Sequence, residues 1–171
     1  MYKLLNFFIY TNIIVALSAL SLYKVTEILF KINDLKLAYF VFFSTLLAYN
    51  YMHFVTRFKP KSKFDVIFFI RGFIIIISAS IVLFVTFLMG AKFFIMVLPV
   101  AIISILYPIS ITINGCSYSI RSIPLMKIFL IALIWTFITL ILPICHYSID
   151  VDYWTLSHFL QRFLFIIAIS I

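Results

Sequence analysis

The sequence STLLAYNYMHFVTRFKPKSK, residues 44–63, passes from an apolar segment through a polar stripe into the densest cluster of positive charge in the chain. Asn50, His53 and Arg57 are spaced three and four positions apart, so on a helix they share one face. Four basic residues lie within positions 57–63, and Pro60 among them ends the helix. The pattern predicts a membrane helix that reaches the surface as one wall of a polar cavity.

The composition shows whether the chain is suited to water or to a membrane. Of its 171 residues, 66% are hydrophobic and 11% are charged, and the mean hydropathy is +1.27. A soluble domain of this length cannot hide so much apolar surface. A helix needs about 20 apolar residues to cross the hydrocarbon core. The chain is therefore predicted to be an all-α, polytopic transmembrane helical bundle of about six spans, forming a single domain over residues 1–171.

The apolar segments give the boundaries of these spans. The predicted spans are residues 4–23, 37–56, 66–89, 93–112, 125–144, and a sixth that starts near 154. Residues 24–36 are predicted to be a partly helical interfacial connection, and Gly90 with Lys92 a tight turn. Residues 110–124 form the longest polar interval, which includes the turn signal Asn114-Gly115. The small-residue run at 16–21 also allows a signal peptide, but the length of the segment favours a signal-anchor span.

The placement of lysine and arginine predicts the orientation. With a cytoplasmic N-terminus, eight of the 13 basic residues fall on the inner surface and five on the outer, as the positive-inside rule requires. The expected location is the bacterial inner membrane. The net charge of +8 points to anionic membrane lipid as a partner and not to nucleic acid. The 21 phenylalanines and 10 tyrosines are better explained as lipid-facing residues than as an aromatic substrate pocket.

Several polar and basic side chains then lie at the same membrane surface, where they could converge on a cytoplasmic-facing cavity. These candidate substrate-binding residues are Asn50, His53, Arg57, Arg71, Arg121 and Lys127. Guanidinium groups bind phosphate oxygens bidentately, so such a group would suit an anionic headgroup or a diphosphate. The alternative is that they are ordinary membrane anchors with snorkelling side chains. That alternative is preferred for Lys127 and the lysines of 59–63, and both readings stay open for Asn50, His53 and Arg57.

A second group of polar residues lies at the opposite surface. It consists of His146, Asp150, Asp152 and His158. Their loose spacing favours an interfacial loop over a metal site, and no metal-binding motif is present in the sequence. Arg162 falls two turns into the sixth span, where it either snorkels outward or pairs with a partner inside the bundle.

Three features of the chain resemble the UbiA-type intramembrane prenyltransferase superfamily. They are Asn50 before a basic loop, the sequence Leu106-Tyr107-Pro108 closing the fourth span, and the segment IRSIPLMKIFLIALIWT (120–136) opening the fifth. The last is similar to the RxxPxxKxxxxxxxW pattern of bacterial members. The resemblance covers most of the chain and makes it the N-terminal two-thirds of a longer bundle, a truncated relative.

The resemblance implies transfer of an isoprenyl group from an isoprenyl diphosphate donor to a lipophilic acceptor, with Mg²⁺ held on the diphosphate by two aspartate-rich motifs. The first motif departs from the family: where carboxylates follow its asparagine, this chain has Tyr51, Phe54 and Phe58, so it supplies no ligand for Mg²⁺ there. The second motif would come just after Ile171. The alternative is a non-catalytic UbiA-like membrane protein that binds a lipid or a partner membrane protein. A small-solute transporter is less favoured.

Overall fold

Apolar helices make up most of the structure. The computed structural model describes residues 7–57, 66–113, 116–119 and 124–170. A helical turn at 7–10 comes first, and the elements that follow are α1 (Ile13–Phe30), α2 (Leu35–Arg57), α3 (Val66–Met89), α4 (Ala91–Leu106), β1 (Ser110–Ile113), β2 (Cys116–Ser119), α5 (Pro124–Thr136), a π-helical segment (Phe137–Ile141), α6 (Leu142–His146) and α7 (Tyr153–Ser170). The chain divides into two compact units, Met1–Phe94 and Ile95–Ile171. The prediction of a single domain stays a prediction.

In the first unit, α2 packs against both α1 and α3. The buried residues of α1 include Ala16, Ala19 and Tyr23, whose spacing of three and four places them on one face. Alanine at two of these positions lets the helix backbones approach closely, as is usual in membrane helix pairs. On α2, Leu37 and Val41 are buried near the turn that joins the two helices.

A short turn joins α1 to α2. Lys31 ends α1 in the left-handed conformation (φ 53°), and its N–H donates to the carbonyl of Glu27. Asp34 then caps α2 by accepting from the N–H of Lys36 at 2.8 Å. The buried Glu27 carboxylate accepts from the N–H of Asp34 at 3.3 Å and pairs with Lys24. The connection predicted at 24–36 is partly helical, as expected: Lys24 and Glu27 pair one turn apart within α1, and residues 31–34 lie between the two helices.

Helix α3 confirms the predicted boundaries of 66–89. Near its start, the ring of Phe68 stacks on Phe54 of α2, with centroids 4.5 Å apart and planes at 23°. Gly90 ends α3 with φ 89°, a conformation that glycine adopts without strain, and its N–H donates to the carbonyl of Thr86 at 3.2 Å. α4 begins at the next residue, so the predicted turn is confirmed at Gly90, whereas Lys92, predicted to be part of it, lies in α4.

The polar interval 110–124 contains a structure that the all-helical prediction missed. β1 pairs antiparallel with β2, with Ser110 opposite Ser119 and Ile113 opposite Cys116. The predicted turn residues Asn114-Gly115 lie outside the described residues. Asn-Gly between two short strands is a strong sequence signal for a two-residue hairpin, and it accounts for the pairing. The fourth span, predicted to reach residue 112, ends as a helix at Leu106.

In the second unit, α5, the π-helical segment and α6 follow one another without a break, and α7 packs against α5. The core is formed by Ala132, Leu140, Leu142 and Ile144 on the first three elements and Ile166 on α7. Phe129 meets Phe163 of α7 edge to face at 5.4 Å. The predicted fifth span at 125–144 agrees with this run of helix.

Three of the described helices are long and apolar enough to cross a membrane: Ile13–Phe30, Phe68–Met89 and Met126–His146. α4 is apolar but has only 16 residues, or about 24 Å at 1.5 Å per residue, against a hydrocarbon core of about 30 Å. Polar residues lower the hydropathy of α2 and α7, which contain Asn50 and Arg162 respectively. The predicted class, an integral membrane protein built of packed helices, agrees with these three helices.

Candidate functional site

The first helix is interrupted at Thr11–Asn12, inside the first predicted span. Residues 7–10, the first that the structure describes, are helical, Thr11 and Asn12 form a turn, and α1 starts at Ile13. Asn12 is left-handed, with φ 60° and ψ 19°. The predicted span 4–23 is therefore wrong in its boundaries, because the break moves the continuous helix to 13–30. Both residues of the break are buried, so their backbone groups need partners.

Asn50 of α2 supplies partners to this break. Its Nδ2 donates to the carbonyl of Thr11 at 2.8 Å and to that of Leu46 at 2.9 Å. Its Oδ1 accepts from Nδ2 of Asn12 at 3.3 Å. The side chain is 0% exposed, and both of its amide hydrogens are engaged by the protein itself. Asn50 therefore joins α2 to both residues of the break.

Arg71 of α3 binds the same break from another helix. Its Nε and Nη2 both donate to the carbonyl of Tyr10, at 3.2 and 3.0 Å. Tyr10 ends the helical turn 7–10, so its carbonyl lies at a helix C-terminus, where a cation is favoured. Only 5% of Arg71 is exposed. The structure thus brings two of the six predicted site residues, Asn50 and Arg71, to one buried polar junction, which we call the Asn12 junction (Tyr10, Thr11, Asn12, Asn50 and Arg71).

The other predicted site residues are placed differently. His53 lies half-buried on α2, one turn after Asn50, and Arg57 is the last residue of that helix. The side chain of Arg57 and the whole of Arg121 lie outside the described residues. Lys127 belongs to the second unit, where it is exposed near the start of α5. Convergence of all six residues on one cavity stays a prediction.

Aromatic residues stand at the positions where the family resemblance requires carboxylates. Phe54 is stacked on Phe68, and Tyr51 is half-buried on α2. Phe58 lies outside the described residues. With the amide of Asn50 committed to the Asn12 junction, these residues do not fit a magnesium–diphosphate site. Within residues 7–57, 66–113, 116–119 and 124–170, no group of three or more His, Cys, Asp or Glu side chains is arranged to hold a metal ion.

A second buried arginine occurs in the second unit. Nη1 of Arg162 donates to the carbonyl of Thr139 at 3.0 Å and to its Oγ1 at 3.1 Å. Thr139 lies in the π-helical segment, where the usual helical hydrogen bonding is shifted, and its hydroxyl donates to the carbonyl of Trp135 at 2.7 Å. Arg162 is 7% exposed, so of the two alternatives the structure supports a partner inside the bundle and not an outward snorkel.

The acidic residues before α7 act locally. Oδ1 of Asp152 accepts from the N–H and the Oγ1 of Thr155, at 2.9 and 2.8 Å. These hydrogen bonds, that from the backbone N–H first, lower the pKa of the Asp152 carboxyl below its ordinary value. Tyr153 and Trp154 beside it are exposed, as expected of aromatic residues at a membrane interface. An interfacial loop with a helix cap explains these residues without a metal.

Sequence reasoning identified Asn50, Arg71 and Arg162 but missed what they bind. Their partners are backbone carbonyls of residues 10, 11 and 139, and a carbonyl has no signature in the sequence. Asn12 offered the one usable signal, because asparagine tolerates the left-handed conformation better than most residues. Comparisons with protein-family models, with curated proteins and with solved structures found no match to the chain.

Proposed function

We propose that this chain is a non-catalytic integral membrane protein that binds anionic lipid headgroups at the membrane surface where α2 ends and α3 begins. The proposal includes the predicted topology of about six spans, with this surface and the N-terminus on the cytoplasmic side of a bacterial inner membrane. It keeps the UbiA-like architecture as a hypothesis and departs from the family in its chemistry.

The observation that carries the proposal is the state of α2 between Asn50 and Phe54. The amide of Asn50 is hydrogen-bonded to Thr11 and Asn12 at the break in the first helix, and the ring of Phe54 is stacked on Phe68. A metal-dependent prenyltransferase would need oxygen ligands on this stretch for the Mg²⁺ ions that bind its diphosphate. The same residues instead provide hydrophobic packing and helix-to-helix hydrogen bonds, which favour a structural and binding role.

The stacked pair also supports the location of the lipid site. Because Phe54 and Phe68 touch, the last turn of α2 and the first turn of α3 lie side by side. The chain between them, residues 58–65, contains three lysines, and Arg57 ends α2. Each basic residue close to an anionic surface contributes about 1 kcal/mol of attraction. Four such charges at one helical hairpin would select anionic over zwitterionic lipid.

Lipid retention measured by native mass spectrometry tests this function. The purified chain is exchanged into equal mixtures of phosphatidylglycerol and phosphatidylcholine, and bound lipids are counted. The triple variant Lys59→Gln, Lys61→Gln, Lys63→Gln should lose its preference for phosphatidylglycerol by roughly 100-fold, from about 3 kcal/mol of lost attraction. A matched control with Lys31→Gln, Lys36→Gln and Lys92→Gln removes the same charge elsewhere and should keep the preference. Equal loss in both variants would defeat the proposed site.

Prenyl transfer is the second candidate, and the segment 120–136 is the observation in its favour. Its proline and lysine, Pro124 and Lys127, lie in the first turn of α5, and Lys127 is exposed. An assay with the purified chain, an isoprenyl diphosphate and a lipophilic acceptor, with and without Mg²⁺, distinguishes the two functions. Metal-dependent turnover that disappears in Lys127→Ala would favour the transferase over the binding protein.

A further inference from the structure

The break in the first helix contains two carbonyls that have alternative donors. In a continuous helix the carbonyl of Tyr10 would accept from the N–H of Ile14, and that of Thr11 from the N–H of Val15. In the structure these carbonyls accept from Arg71 and Asn50, and the N–H of Ala16 donates to the carbonyl of Asn12 at 3.1 Å. The same acceptors are therefore compatible with a broken helix and with a continuous one.

The break is not enforced by a proline or a glycine. The sequence FFIYTNIIV at 7–15 contains neither proline nor glycine, the usual causes of a sharp helix break. The contacts that maintain the break come from residues 39 and 61 positions later in the chain. Because the local sequence allows a helix and distant side chains interrupt it, the break depends on whether those side chains stay in place.

We propose that the Asn12 junction is a latch with two positions, and that an oxyanion opens it by taking the guanidinium of Arg71. A phosphate or carboxylate forms stronger, bidentate hydrogen bonds with a guanidinium than a neutral carbonyl does. Once Arg71 turns to the oxyanion, the carbonyl of Tyr10 accepts from the N–H of Ile14, and Asn12 exchanges its hydrogen bond to Asn50 for the helical conformation, so that residues 7–10 join α1. The carbonyl of Thr11 has two lone pairs, so it accepts from Val15 while it keeps the hydrogen bond from Asn50. The identity of the oxyanion as a lipid headgroup rests on the proposed function; inorganic phosphate offers the same chemistry.

The two sides of the break are anchored to different helices, which gives the latch its direction. The turn 7–10 is bound by Arg71 of α3, whereas α1 packs on α2 and is fixed to it at the far end by the Glu27–Asp34 turn. Opening the latch therefore moves residues 7–10 and leaves α1 on α2. An oxyanion that binds Arg71 only in the open position shifts the population toward that position, because its affinity for the two positions differs.

Electron–electron resonance distances test the latch in the full chain. Spin labels are placed at Ile9 and Leu83, both exposed, after replacement of Cys116 and Cys145 by serine. The protein is reconstituted in nanodiscs of phosphatidylcholine, whose phosphate is neutralised by its own choline ammonium, of phosphatidylcholine with added inorganic phosphate, and of phosphatidylglycerol, whose phosphate keeps its net charge. A label pair at Ile28 and Leu83 reports on α1 as a control.

The latch predicts one Ile9–Leu83 distance in phosphatidylcholine and a second one in phosphatidylglycerol, shifted by about 5 Å, the height of one helical turn. A response to inorganic phosphate as well identifies the oxyanion in general, and a response to phosphatidylglycerol alone identifies the headgroup. Arg71→Gln should show the second distance in every preparation. The Ile28–Leu83 distance should stay unchanged throughout.

An unchanged Ile9–Leu83 distance in Arg71→Gln overturns the latch, as does a shift shared by the Ile28–Leu83 pair, which would be a movement of the whole helix. A shift in Arg71→Gln without any in phosphatidylglycerol or phosphate overturns the opening by oxyanions. Native mass spectrometry of the same samples judges the proposed function separately. Bound phosphatidylglycerol with an unchanged distance defeats the latch alone.

Discussion

Arg71 donates two hydrogen bonds from its guanidinium to the carbonyl of Tyr10, a residue 61 positions earlier in the chain. A buried charged donor that satisfies a backbone acceptor contributes more than a neutral hydrogen bond does. The contact explains why Arg71, only 5% exposed, is tolerated in a helix with the composition of a membrane span. The guanidinium donates to the carbonyl of Tyr10 in place of the backbone N–H that the break took away.

Arg71→Gln is expected to destabilise the protein by about 1.5–3 kcal/mol, since it removes the charge-assisted hydrogen bonds to Tyr10. Arg71→Lys should recover part of this loss, because one ammonium donor replaces a two-donor fork. Unfolding in mixed micelles measures the free energies. The neighbouring Gly72→Ala is the control: an added Cβ meets nothing within 4 Å, so it should be neutral or stabilising by up to about 1 kcal/mol. Equal effects at both positions would contradict the assigned contact.

Asn50→Ala should lower the free energy of unfolding by about 1–3 kcal/mol, because it leaves the carbonyl of Thr11 and the amide of Asn12 without their partner in a buried place. Asn50→Asp should also destabilise, since a carboxylate can accept from Asn12 but cannot donate to Thr11. Thr56→Ala on the same helix is the control. Thr56 is exposed and donates only within its own helix, so a change within about 0.5 kcal/mol is expected.

Two threonines of the second unit, three residues apart, should respond in opposite directions. Thr139→Val removes a hydroxyl bonded to Arg162 and Trp135 and should destabilise by about 0.5–1.5 kcal/mol. The hydroxyl of Thr136 is fully buried and has no hydrogen-bond partner among the described residues, so Thr136→Val should be neutral or stabilising. Parallel unfolding measurements check the pair, and a destabilising Thr136→Val would mean that its hydroxyl is satisfied.

The cap of α7 predicts a pH dependence. The pKa of Asp152 is lowered by the N–H of Thr155, then by its hydroxyl, so the ionised form stabilises the folded state. This contribution is present above the ordinary aspartate pKa of about 3.9 and is lost as pH falls through the lower folded value. Against Asp152→Asn, which keeps a cap but cannot ionise, the wild type should lose stability below about pH 4. Thr155→Val should reduce the difference. Parallel curves for wild type and Asp152→Asn between pH 7 and 3 would contradict the assignment.

The sequence predicted best where hydrophobicity and glycine act locally. The helix at 66–89, the turn at Gly90 and the apolar run at 125–144 follow from apolar segments of about twenty residues and from one glycine, which adopts a positive φ in the structure. The interruption at Asn12 was not predictable in this way, because side chains from α2 and α3 cause it. The π-helical segment does have a local signal, since Pro143 has no N–H to donate to the carbonyl of Thr139 four residues earlier. Arg162, which donates to that carbonyl instead, comes from a different helix.

The candidate site was predictable in part for a related reason. A polar side chain in an apolar helix is visible in any sequence, so Asn50, Arg71 and Arg162 were found. The acceptors of their hydrogen bonds are main-chain oxygens, which every residue has. The sequence therefore identified the hydrogen-bond donors but not their acceptors. Asn50 and Arg71, predicted to bind a ligand, bind main-chain carbonyls of the protein itself, as Arg162 does.

The separation between Tyr10 and Arg71 sets an order of events during synthesis. A ribosome adds about 5–20 residues per second, so the 61 residues from Thr11 to Arg71 take roughly 3–12 s to make. Until then the amino-terminal helix enters the membrane without the arginine that shapes it. The N-terminal segment therefore inserts before its hydrogen bonds to Arg71 can form, and these bonds form only after α3 has been synthesised.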